Sequence, residues 1–191
     1  MMLFSYKNKY KLRMKKYFVL YKPFLLFLGT FFFTYILLTF LYQFFLDGYG
    51  NGKVDAITRL VAQNTEIVLS GFDKDVSIEE STKEPFFTLY FHKKGMLRIV
   101  EGCNGISLII LFVSFVVAFS GSLKNTLLFV FGGSLLIYIL NIFRIAVLII
   151  LLYSFPSQLH LLHGVLFPLV IYGLVFILWI VWVNKFSKYA K

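Results

Sequence analysis

A chain of 191 residues that is 59% hydrophobic and 20% aromatic, with a mean hydropathy of +0.81, is not an ordinary water-soluble domain. The formal charge of +10 does not mark a nucleic-acid surface, because seven of the 19 basic residues precede the first apolar run with no acid among them: Lys7, Lys9, Lys11, Arg13, Lys15, Lys16 and Lys22. That is the pattern of a cytoplasmic membrane flank, and the single cysteine, Cys103, excludes an intramolecular disulfide.

In chain order, residues 1–23 read as a basic cytoplasmic segment and 24–46 as a first transmembrane helix, closed by Asp47, Gly48, Gly50 and Gly52. The run after Lys22 is too long for a signal-peptide core and lacks a small-residue cleavage site, so it is expected to stay as an anchor. Residues 47–101 carry all nine acidic residues and read as an external segment. Within it, Ile57, Leu60, Val61, Asn64 and Val68 fall at helical spacings over Val54 to Leu69. Phe87, Leu89 and Phe91 alternate with Thr88, Tyr90 and His92, which predicts a hairpin turning at His92-Lys93-Lys94-Gly95 and returning over Met96 to Val100.

A second span is expected from near Asn104 to Ser120, a turn at Gly121 to Asn125, and a third span from about Thr126 to Tyr153. Ser154 to Gln158 breaks the chain before a fourth span, about His160 to Val183, and 185–191 is a basic tail with Lys185, Lys188 and Lys191. The predicted fold is an all-α polytopic membrane protein of about four transmembrane helices, with a small external α+β segment between the first and second. Basic ends and turns against acidic loops place both termini in the cytoplasm and the external segment outside. No repeat, phosphate loop or Cys/His zinc spacing is present, so neither a cofactor nor a metal is expected.

The polar residues in or at the edge of the spans are Cys103, Asn104, Asn141, Arg144, His160 and His163, with Glu101 just before them. Arg144 stands out, since a charge inside a span costs about 2.5–3.5 kcal/mol even on the mild insertion scale and faces protein or water. Nine residues before the expected end of its span, it lies about 13 Å below that end, near the level of Cys103 and the two histidines. A lone membrane cysteine is more often an apolar filler, but Glu101-Gly102-Cys103-Asn104-Gly105 sets this one in a glycine-flanked turn ahead of a helix, which exposes a thiol and favours thiolate. His160 and His163 lie one turn apart, and spacing does not choose between them. His92 reads as solvated, and Trp179, Trp182, Tyr42 and Tyr49 read as interfacial belts.

The elements Glu101-Gly102-Cys103-Asn104-Gly105-Ile106, Asn141-Ile142-Phe143-Arg144-Ile145 and His163-Gly164-Val165-Leu166-Phe167 together resemble the exosortase and archaeosortase family, in its short exosortase F form. The resemblance makes residues 102–184 a three-helix catalytic core. It implies a membrane cysteine transpeptidase or protease at the outer face of the cytoplasmic membrane, cutting the C-terminal sorting signal of an exported protein through a thioacyl intermediate. It also implies Cys103 as nucleophile with Arg144 and His163 as partners, and an amine, glycan or water as acceptor. Asn104, Asn141, His160 and Glu101 are candidate supporting residues, membrane lipid is the surrounding partner, and no nucleic acid is expected. The competing readings are a non-catalytic membrane scaffold or assembly factor, in which Cys103 is filler and Arg144 locks helices, and a small transporter built around Arg144 and Asn141.

Overall fold

The computed structural model describes residues 2–50, 52–119 and 121–187, with side chains described from Leu20 onward except that of Leu159. Six of the seven basic flank side chains, Ser120, Lys188 and Lys191 therefore lie outside the described residues.

The chain is mostly helical: α1 (Met2–Asp47), α2 (Ala56–Ser70), strands β1 (Val76–Glu80), β2 (Phe87–Phe91) and β3 (Lys94–Ile99), then α3 (Ile106–Ala118), α4 (Leu123–Ser154), a single turn α5 (Leu159–Leu161) and α6 (Phe167–Lys185). Among the described residues three stretches are long and apolar enough to cross a membrane, Leu20–Asp47, Leu123–Ser154 and Leu162–Lys185. The expected second span differs: α3 has 13 residues and rises only about 20 Å, short of the roughly 20 residues a membrane helix needs.

Aromatic side chains set the helix packing. Phe27 of α1 lies 5.9 Å from Phe115 and 4.5 Å from Phe119, while the other end of α1 meets the start of α3 through Tyr42 and Asn104, so the two run antiparallel. Gly133 lets α4 approach α3, because the Phe112 ring occupies the space a Cβ would need. Phe112, Val116, Ile137, Val175 and Trp182 form the core shared by α3, α4 and α6. The belt reading of the tryptophans is corrected here: Trp182 is fully buried against Phe129 and Phe186, and Trp179 stacks on Phe115 at 4.2 Å.

Helix α2 starts where Asp55 accepts the backbone N–H groups of Ile57 and Thr58, both at 2.9 Å, which satisfies two otherwise unpaired donors. Its buried face, with Val61, Ala62 and Leu69, packs on the sheet, whose antiparallel order is β1-β2-β3. β2 buries Phe87, Leu89 and Phe91 as its alternation requires. β1 was not anticipated, since its short sequence Val-Ser-Ile-Glu-Glu gives too few alternations to stand out.

The hairpin turn is shorter than the four residues expected: only His92 and Lys93 have positive φ, 50° and 60°, and β3 begins at Lys94. Two consecutive residues of that hand match the twist of the paired strands. His92 is not simply solvated, because its Nε2 lies 3.0 Å from Asp73 and its Nδ1 3.6 Å from Asp75, with its ring 5.1 Å from Tyr153 of α4. The core under the sheet also includes Ile145, Ala146 and Ile149, so the segment between α1 and α3 is seated on the last turns of α4.

Candidate active site

The turn that presents Cys103 is held from three sides. Cys103 closes a 3₁₀ turn, Glu101–Cys103, its N–H donating to the Val100 carbonyl at 2.8 Å. Gly105 follows with φ +82°, a conformation disfavoured for residues with a Cβ, and an added Cβ would stand 3.2 Å from the Asn141 side chain. Asn104 is 2% exposed; its Oδ1 accepts the Ile106 N–H at 3.0 Å, and its Nδ2 donates to the Tyr42 hydroxyl at 2.7 Å and to Thr58 Oγ1 at 3.1 Å. One amide thus ties the start of α3 to α1 and α2.

Asn141, also buried, donates from Nδ2 to the Cys103 carbonyl at 2.7 Å, while its Oδ1 is buried without a partner. Arg144 is one turn further along α4, within electrostatic reach of the Cys103 thiol and the Tyr172 hydroxyl. Among the described residues its buried Nε finds no acceptor and no carboxylate pairs with it. Glu101 is exposed, yet its carboxyl is held above the usual range, first by partial desolvation and then by the Asp55 carboxylate.

The histidines are placed differently. His160 and His163 are both exposed, and among the described residues neither is hydrogen-bonded to Cys103. Either was read as able to contact the thiol, and the local backbone around them departs from a regular helix. Leu162–Leu166 is a π-helical turn in which the Phe167 N–H bonds to the Leu162 carbonyl, five residues back. Pro168 has no N–H and its ring would strike the Gly164 carbonyl in a regular α-helix, which a widened turn relieves. The wider turn sets Leu162 rather than His163 beside Phe167, and both apolar residues pack with Leu148 and Leu152 of α4.

Axial distances align these groups. The 20 residues from Lys22 to Tyr42 rise about 30 Å along α1, and the 20 from Lys124 to Arg144 rise about 30 Å along α4. Tyr42 meets Asn104, and Arg144 is one turn from Asn141, so Cys103 and Arg144 lie about one bilayer thickness from a basic level at the opposite end. Tyr42 and Thr58 were missed by sequence reasoning, and no local signal marks partners 62 and 46 residues from Asn104.

The apolar helices and the thiol, guanidinium and amides gathered at one end define a multi-pass membrane protein with a polar site at the edge of its helical bundle. The family model described as transmembrane exosortase matches residues 18–182, which include Cys103, Arg144 and both histidines. This chain belongs to the transmembrane exosortase family. No curated protein and no solved structure matches it.

Proposed function

We propose that this chain is a cysteine transpeptidase or peptidase of the short exosortase F form, cleaving the C-terminal sorting signal of an exported protein at the outer membrane–water boundary. The observation that carries this reading is a Cys103 whose carbonyl is pinned by Asn141 and whose thiol lies within electrostatic reach of Arg144, a guanidinium for which the described residues supply no acceptor.

In the proposed reaction the Cys103 Sγ attacks the scissile carbonyl carbon and the thiol proton passes to His163. The carbonyl oxygen gains charge that the planar fork of Arg144 is suited to meet. Collapse of the tetrahedral adduct breaks the C–N bond, the imidazolium returns the proton to the leaving amine, and a thioester remains on Cys103. An amine, a glycan hydroxyl or water then displaces the thiol. His163 must turn toward Cys103 for the proton step; it is exposed, and among the described residues no hydrogen bond or ion pair holds it.

The chain is read as crossing the membrane four times, with both termini in the cytoplasm. α3 is short, but Asn104 at its start meets Tyr42 while Gly121, just beyond its end, packs against Phe186 at the far end of α6. The segment including α3 thus joins the two levels that the longer helices separate.

The test follows the mass of a tagged, co-expressed exported protein carrying a C-terminal membrane anchor. Wild type is expected to remove the anchor and Cys103→Ala to leave it, at matched membrane abundance. Equal processing by the two would replace this reading with that of a scaffold, for which Arg144 is a packing residue.

A further inference from the structure

A lateral cleft of about 500 Å³ lies between α4 and α6, lined on one side by Leu140, Phe143, Arg144 and Val147 and on the other by residues from Phe167 to Ile177. Among the described residues that line it, Arg144 alone is charged. Phe143, Leu169, Val170 and Ile177 are exposed, so the cleft opens sideways from two helices that are each apolar and long enough to span a bilayer. Its occupant therefore comes from the lipid phase.

One further observation narrows the ligand. A guanidinium with a buried, unpartnered Nε in apolar surroundings calls for an anion, and its planar fork matches a phosphate better than any neutral head group.

We propose that this cleft binds one anionic glycerophospholipid, its phosphate on Arg144 and an acyl chain along Phe143, Val170 and Gly173. The lipid belongs to the leaflet on the Arg144 side. It satisfies the guanidinium while no substrate is present and gives way when the reacting carbonyl needs the same fork. Binding requires neither the thiol nor its chemistry; only the displacement by substrate rests on the proposed reaction.

The experiment uses the purified full-length chain and native mass spectrometry, with phosphatidylglycerol and phosphatidylcholine of identical acyl chains as probes. One phosphatidylglycerol is expected to be retained about tenfold better than phosphatidylcholine, equally by wild type and Cys103→Ala. Gly173→Phe should remove the preference without disturbing the fold, since nothing lies within 4 Å of a Cβ built there. Val170→Trp, on an exposed lining position, should do the same and serves if the first variant is poorly expressed. Arg144→Gln should equalise the two lipids, whereas Lys124→Gln with Lys185→Gln, at the opposite level, should leave the preference intact. Equal retention of the two lipids by wild type overturns the proposal. A preference that survives both cleft-filling variants, or that is lost only with the two lysines, also overturns it.

Discussion

The Cys103 turn and the His163 turn sit at the same end of the helical bundle and are built in opposite ways. Around Cys103, two buried asparagines link four helices through the turn, and Gly105 supplies a backbone hand that permits the close approach of Asn141. Around His163, the backbone is a π turn, the imidazole is exposed and among the described residues no side chain hydrogen-bonds to it. One half of the candidate site is thus fixed by the fold before any ligand arrives. The other half is free to reorient, which suits a proton carrier that must approach the thiol and withdraw.

The sharpest way to break this contrast is replacement of the histidines. His163→Ala should lower processing of an anchored substrate by about 10²–10⁴-fold and, being exposed, change stability by no more than about 0.5 kcal/mol. His160→Ala should leave processing intact, and the reverse pattern would transfer the proton role to His160. At the fixed half the effect should fall on stability: Asn104→Ala leaves Tyr42 and Thr58 without their donor and removes the cap on Ile106. A loss of about 2–4 kcal/mol is expected, read as a lower unfolding midpoint in detergent.

The π turn offers an intermediate test. In a Cys103→Ala background, a cysteine replacing His163 should be alkylated by a water-soluble maleimide several-fold faster than one replacing Leu162. Adding Pro168→Ala removes the reason for the wide turn and should narrow or invert that ratio. An unchanged ratio would mean that packing of Leu162 and Phe167 on α4, not the proline, holds the turn open.

The smallest effect is expected at Glu101. Its carboxyl is raised by desolvation and by Asp55, so the folded state holds the proton more tightly than the unfolded chain. Stability should therefore fall slightly as pH rises from the ordinary glutamate value through the raised one, and Glu101→Gln should flatten that slope. A wild-type slope of opposite sign would mean that Glu101 is stabilised as a carboxylate.

The legibility of the molecule follows the same division. The apolar runs, the basic flank, α2 and the β2–β3 pair could be read from residues close in sequence, since span length, amphipathic spacing and strand alternation are local patterns. Cys103, Arg144 and the histidines were likewise visible as polar residues at span edges. Asn141 was visible too, but its contact was not, nor were those of Tyr42 and Thr58: these three meet the Cys103 turn from 38 or more residues away, and only packed helices decide which amide reaches which partner.

Trp182 shows the limit in another way, because an aromatic near a span end fits a lipid interface or a protein core equally well until its neighbours are known. His163 shows it most clearly. A regular helix was expected through Pro168, and the backbone from Leu162 to Leu166 adopts a wider, π-helical turn instead. The sequence by itself determined that this is a membrane protein, which segments are apolar, and which side chains carry chemistry, because solvent transfer and residue chemistry act residue by residue. Tertiary structure alone decided which of those side chains meet, because that depends on helix packing, hydrogen-bond geometry and one local departure from the regular helix.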